Sequence, residues 1–151
     1  MGYLVREIKA EEITRLVEMC ESHANYEKTE YSSEGKEKEL ERLFLDKHPK
    51  LFCYVIEVDK NLIGYFSYTF DVSTWDAKTY LHLDCLYLEP EYRGMKIGDI
   101  IFEKLLEIAK ENQCINIQFQ TPLFNEKAIR FYKRIGAIGK EKIRFSLEIL
   151  D

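Results

Sequence analysis

Between residues 78 and 110 the chain changes its hydrophobic period once, and that change constrains the fold more than any other feature. Residues 78–88 form a strand-like run. Ile97, Ile100, Ile101, Leu105 and Ile108 then share one helical face, with Glu103, Lys104, Glu107 and Lys110 largely opposite. Between the two stands Tyr92-Arg93-Gly94-Met95-Lys96-Ile97-Gly98. A strand passing into a sheet-packing helix through such a junction belongs to an α/β architecture. The junction also carries chemistry. Glycines let the backbone come close to a ligand, and a helix start offers unpaired N–H groups and a positive dipole end to an anion. Arg93 adds a guanidinium fork suited to phosphate oxygens. Neither G-x-G-x-x-G nor G-x-x-x-x-G-K-[ST] can be read here, so the pattern is neither the dinucleotide fingerprint nor the P-loop.

The remaining elements follow from the same periodicities. Residues 3–8 read as a short strand, and Ile13, Leu16, Val17, Cys20 and Ala24 recur at helical spacing. The polar stretch 25–35, with Tyr26, Glu27, Glu30 and Tyr31, is a loop, either a substrate-facing lid or an ordinary connection. A second helix then carries Leu40, Leu43 and Phe44. Residues 51–58 and 62–70 are β-branched and aromatic around Asp59-Lys60-Asn61, a hairpin signal. After the helix that follows the junction, Ile115, Ile117 and Phe119 alternate with Asn116, Gln118 and Gln120 as a half-buried strand. A last helix over about residues 125–135 takes Asn125 as its N-cap and Gly136 as its C-cap. Ile143, Phe145, Leu147 and Ile149 form a closing strand. The order β, α, α, β, β, β, α, β, α, β describes a mixed α/β (α+β) fold, and 151 residues suit one domain.

Composition narrows the function. Hydrophobic residues make up 46% and charged residues 32%, a globular balance. A net charge of -5 argues against nucleic acid, whose phosphates normally demand a basic patch. Cys20, Cys53, Cys85 and Cys114 are far apart, form no C-x-x-C or zinc spacing, and read as buried reduced thiols. His23, His48 and His82 do not form a ligand set, so no metal is expected. No signal peptide opens the sequence, and no apolar run approaches the roughly 20 residues of a membrane helix. A cytoplasmic protein without membrane attachment is expected.

The junction at 92–98, followed after the next strand by Asn125-Glu126-Lys127-Ala128-Ile129-Arg130-Phe131-Tyr132-Lys133-Arg134-Ile135-Gly136-Ala137, resembles the GNAT superfamily of acetyl-CoA-dependent N-acetyltransferases. The likeness spans nearly the whole chain. Of the family's phosphate motif [QR]-x-x-G-x-[GA], Arg93 and Gly98 match, while Lys96 replaces the inner glycine, where a helical backbone angle would accommodate it. Asp99, in the first helical turn, departs from an ideal phosphate site. The second motif, N-x-x-A-x-x-F-Y-x-x-x-G-[AF], is the more specific. Three local matches, Ala24-Asn25-Tyr26-Glu27, Trp75, and Phe131-Tyr132-Lys133-Arg134 with Gly136-Ala137, are similar to the diamine and polyamine (spermidine/spermine-type) acetyltransferases.

The resemblance implies a central, mostly antiparallel mixed sheet of six to seven strands, splayed between strands 4 and 5 and flanked by about four helices. It implies acetyl-CoA as cosubstrate, its pyrophosphate held by Arg93, Gly94, Lys96, Ile97 and Gly98. Asn125 and Lys133 would contact the rest of the coenzyme, and backbone near Leu86, Tyr87 and Leu88 would stabilise charge on the acyl oxygen. Tyr132 would protonate the departing thiolate. Asp84, aspartate where the polyamine enzymes have glutamate, would bind or deprotonate the amine, directly or through water. His82, on the same strand face, is a competing base. Glu27 and Trp75 would meet a small cationic amine: a diamine, polyamine or lysine-like molecule. Rival readings are an acetyltransferase for a protein N-terminus, lysine or aminoglycoside, and a non-catalytic acyl-CoA-binding module. Relatives are commonly dimers and the run 143–149 could pair across subunits, so a homodimer is expected.

Overall fold

A computed structural model describes residues 2–150. They form two compact units that divide between residues 120 and 121, and each is described by itself. The first contains β1 (Leu4–Glu7), α1 (Ile13–Tyr26), α2 (Lys36–Phe44), β2 (Phe52–Val58), β3 (Asn61–Ser73), β4 (Lys78–Leu88), α3 (Ile97–Glu111) and β5 (Ile117–Gln118). The second contains α4 (Glu126–Arg134).

The sheet runs in the order β1-β2-β3-β4-β5, antiparallel as far as β4, with β5 parallel to β4. Its spine is the β2–β3 hairpin, whose two-residue turn places Asp59 and Lys60 at φ of 49° and 68°. Positive φ at both central residues is the type I′ geometry that matches strand twist. Both faces of β3 are covered, so Leu62 to Tyr68 are buried without alternation. α3 buries Ile97, Ile101, Leu105 and Ile108 of the expected stripe, while Ile100 is exposed at 40% and Phe102 is buried in its stead. α1 seals a cluster of Leu16, Met19, Cys53, Val55, Leu62, Tyr65 and Tyr87. Of the thiols only Cys53 is buried outright, and all four are free.

Gly64 explains how β4 lies so close to β3. A Cβ there would stand 2.6 Å from the Tyr87 carbonyl oxygen and 2.7 Å from Leu88 Cδ2, so only glycine admits this approach. A bulge between Ile56 and Glu57 falls opposite the same stretch.

The sheet has five strands among the described residues, not the six to seven expected. β5 is reduced to a two-residue ladder, Leu81 to Ile117 and His82 to Gln118. Beyond His82, β4 runs on to Leu88 without a strand on that side among the described residues. The closing strand expected at 143–149 is absent as an element: residues 137–150 carry no helix or strand. A strand exists only where its N–H and C=O groups meet a neighbour, and period-2 alternation announces the strand without supplying that neighbour. No helix among the described residues is long and apolar enough to cross a membrane.

Candidate active site

β4 ends because Pro90, at the start of the 3-10 turn Pro90–Tyr92, has no N–H to continue a ladder. Gly94 (φ 79°) and Lys96 (φ 63°, ψ 15°) are both left-handed, and α3 begins at Ile97. Lys96 is therefore the N-cap residue of α3 and not a residue at helical angles as expected from sequence. A side chain in this region costs about 1 kcal/mol, a cost that a glycine would avoid. No side chain caps the helix, so the N–H groups of its first turn keep their positive end available to an anion. Asp99 lies in that first turn. The donor set suits a pyrophosphate: helix-start N–H groups, a lysine and an arginine.

Arg93 also has structural work. Its Nε donates to the Leu88 carbonyl oxygen at 2.9 Å, and its guanidinium stands 4.3 Å from the Tyr26 ring centroid and 5.5 Å from that of Tyr87. These cation–π and hydrogen-bond contacts tie the end of α1, the end of β4 and the junction together, leaving the outer guanidinium nitrogens for a ligand.

Along β4, Leu86, Tyr87 and Leu88 pair with Phe66, Tyr65 and Gly64 of β3. In an antiparallel ladder alternate residues turn their N–H groups away from the partner strand, here toward the side β5 has left. Asp84 and His82 share a strand face, and His82 Nε2 stands 4.0 Å from Asp84 Oδ1, too long for a hydrogen bond. Asp84 is half-exposed; its Oδ2 lies 3.7 Å from Cys85 Sγ. Burial pushes the Cys85 thiol up to about 12, with Asp84 adding to the shift. A carboxylate and an imidazole thus face the same space beside the unpaired edge.

The end of α1 holds an arrangement that sequence reading missed. His23 Nδ1 lies 2.9 Å from the Tyr65 hydroxyl and His23 Nε2 lies 3.0 Å from Glu27 Oε2. An ionised carboxylate only accepts, so with a neutral ring Nε2–H donates to Glu27 and Nδ1 accepts from Tyr65. Tyr65 then donates to His23 and His23 donates to Glu27, the terminal acceptor. Desolvation drives the Tyr65 phenol far above its ordinary range and keeps it a donor. The Tyr87 ring packs 5.5 Å from the imidazole, and Tyr87 donates to Glu89 at 3.3 Å, which in turn meets Arg15 at 2.9 Å. The signal available in the sequence was the i, i+4 spacing of His23 and Glu27 in the last turn of a helix.

Beyond Glu27, Asn25, Lys28, Thr29, Glu30, Tyr31 and Ser32 line an open hollow. Tyr31 is pushed up to about 12, mainly by burial. Trp75, in the β3–β4 turn, is 99% exposed and covers nothing in this chain.

In the second unit, Asn125 occupies the N-cap position of α4 but makes no capping bond; its Nδ2 donates to Thr121 Oγ1 at 3.1 Å. Tyr132 is half-buried, with the Phe131 ring 5.6 Å away, and Lys133 is exposed. Gly136, at φ 99°, ends the helix; its N–H bonds Lys133 and the N–H of Ala137 bonds Tyr132.

Comparison with known proteins bears on both units. The profile of the Acetyltransferase (GNAT) family matches residues 11–137. Thialysine N-epsilon-acetyltransferase from Sus scrofa is 30% identical over 142 residues, covering 89% of this chain and 83% of that protein. Spermidine/spermine N(1)-acetyltransferase-like protein 1 from Homo sapiens is 28% identical over 116 residues, 68% of this chain but 16% of the human protein. Among solved structures, a possible acetyltransferase from Clostridium difficile 630 superposes over the full length of both chains with a TM-score of 0.82 at 18% identity.

Proposed function

The chain belongs to the GNAT acetyltransferase family, and from that premise we propose that it transfers acetyl from acetyl-CoA to a primary amine of a small cationic substrate: a diamine, a polyamine or a lysine-like molecule. The observation that carries this reading is the family match over residues 11–137, which contains both strand–helix junctions. Because that match runs through both compact units, we treat residues 1–151 as one functional domain. The substrate class is supported by the names of the relatives, which act on thialysine or are described as spermidine/spermine enzymes.

The family's acetyl donor is acetyl-CoA, which supplies an activated thioester when bound. In this reading Arg93, Gly94, Lys96, Ile97 and Gly98 hold its pyrophosphate, and Asn125 and Lys133 hold other parts of the coenzyme. An ammonium of pKa about 10.4 costs about 4 to 5 kcal/mol to deprotonate at pH 7. Asp84 takes that proton, directly or through water, and His82 beside it is the nearest relay. Of Leu86, Tyr87 and Leu88, a backbone N–H turned away from β3 receives negative charge on the acyl oxygen. Tyr132 donates its phenolic proton to the leaving sulfur. Glu27, fixed by His23, binds the second cationic group, and Trp75 lies over the alkyl chain. The working unit is a homodimer in the cytoplasm.

An amine screen with acetyl-CoA and a thiol reagent tests the proposal. Diamines, polyamines or lysine analogues should accelerate thiol release. Acceleration by peptides or aminoglycosides alone would move the assignment to those acceptors, and binding of acetyl-CoA without turnover of any amine would leave a binding module.

A further inference from the structure

α1 ends on Tyr26, and the backbone fixes that end. Lys28 is left-handed at φ 57°, its N–H donates to the Asn25 carbonyl at 3.1 Å, and the Thr29 N–H donates to the Ala24 carbonyl at 2.9 Å. This paired closure satisfies helix-end carbonyls and holds the last turn in place. Tyr26 is 42% exposed, yet its ring centroid stands closer to the Arg93 guanidinium than that of Tyr87, at 4.3 Å against 5.5 Å.

Arg93 itself lies outside any helix, on extended backbone (φ -77°, ψ 147°) after the 3-10 turn. A long side chain on such a segment has many rotamers to lose on meeting an anion. Two contacts remove that freedom beforehand. Nε donates to the Leu88 carbonyl at 2.9 Å, which fixes one edge of the guanidinium, and the Tyr26 ring attracts the cation. A carboxylate in the place of the ring would occupy the N–H fork and cancel the charge. An aromatic ring does neither, and leaves the outer donors to phosphate oxygens. The carboxylates beside these rings in sequence are engaged elsewhere, Glu27 with His23 at 3.0 Å and Glu89 with Arg15 at 2.9 Å.

We propose that Tyr26 is a positioning residue for the acetyl donor, holding Arg93 in the orientation that meets the coenzyme pyrophosphate. The inference rests on the proposed assignment of Arg93 to that pyrophosphate. Adjacent residues of one helix end then serve the two substrates, Tyr26 the donor through Arg93 and Glu27 the amine.

Calorimetry with CoA on the full chain tests this without any amine. Tyr26→Leu should raise the CoA dissociation constant roughly fivefold, and Tyr26→Phe, which keeps the ring, should stay within about twofold of the native value. In an Arg93→Gln background, itself weakened, Tyr26→Leu should add less than about a further twofold, because no guanidinium remains to be positioned. A ring that only supported the helix end would weaken binding equally in both backgrounds, and that result overturns the proposal. So does an unchanged constant in Tyr26→Leu, or an equal loss in Tyr26→Phe. Thermal midpoints check that each variant is folded; if Arg93→Gln is not, the comparison of Tyr26→Leu with Tyr26→Phe decides alone. Failure of the underlying assignment looks different. A native protein that does not bind CoA, or an Arg93→Gln variant that binds it as tightly as the native protein, removes the pyrophosphate site and the proposal with it.

Discussion

His23 holds Glu27 at 3.0 Å through Nε2 while its Nδ1 meets the buried Tyr65 hydroxyl at 2.9 Å. Glu27 is therefore a carboxylate with a fixed orientation at the mouth of a loop, rather than a flexible surface acid. If it binds the distant cation of the substrate, its value lies in that pre-organisation.

Replacing His23 with leucine frees Glu27 and leaves the buried Tyr65 hydroxyl with only the Cys20 and Cys85 thiols as partners. The Michaelis constant for a diamine should rise roughly tenfold, the worth of one charge-assisted hydrogen bond. Turnover, and the constant for a monoamine of similar length, should hold. Equal losses for both amines would show that His23 serves only the core, while retention of diamine affinity in His23→Gln would mark orientation of Glu27 as its role.

Tyr132→Phe removes one hydroxyl from a half-buried position in α4. Turnover should fall by roughly a hundredfold or more, the usual worth of a general acid, with the acetyl-CoA dissociation constant little changed. Pre-steady-state release of thiol distinguishes the chemical step from product release, and wild-type turnover in the variant would remove the proton-donor role.

Gly64→Ala should cost about 2 kcal/mol through overpacking, since the added methyl meets the Tyr87 carbonyl and Leu88. The same clash displaces the end of β4 that carries the candidate oxyanion contacts, so activity should fall at temperatures where the variant is still folded. Urea titration and turnover measured on one preparation separate the two effects. An unaltered midpoint would mean that β4 yields without cost.

Acid stability should follow Glu12. Arg6 donates to both of its carboxylate oxygens, at 2.9 and 2.6 Å, and to Glu57 at 2.7 Å. Hydrogen bonding to Arg6 holds the Glu12 carboxyl below its ordinary value. A folded value below the unfolded one means that the contribution is fully present above the ordinary glutamate range and is lost as pH falls through the folded value. Urea midpoints measured from pH 7 downward should decline more shallowly in Glu12→Gln, from a lower plateau. Parallel curves for the two proteins would count against the linkage.

Much of the fold was legible because its signals are local. Asp59-Lys60-Asn61 between two β-branched runs marked the β2–β3 hairpin, and the stripe from Ile97 to Ile108 marked α3 within a residue of its observed start. The chain could not reveal Lys96 at a left-handed angle, since a lysine normally signals nothing of the kind and only the path into α3 imposes it. Likewise His23 looked like one more helix residue until β3 brought Tyr65 to its other nitrogen, a contact 42 residues away in sequence.

The sequence by itself determined the α/β class, the order of the elements as far as α4, and the two motifs that mark the family, because hydrophobic period, turn residues and motif spacing are properties of neighbouring residues. Tertiary structure decided what those residues are bonded to. It set Arg93 between Tyr26 and Tyr87, fixed Glu27 on His23, required glycine at position 64, and cut β5 to two residues. It also left the alternating run 143–149 without a neighbour. The physical reason is the same in each case: periodicity shows which face of an element is apolar, whereas hydrogen bonds and close packing depend on partners brought from distant parts of the chain.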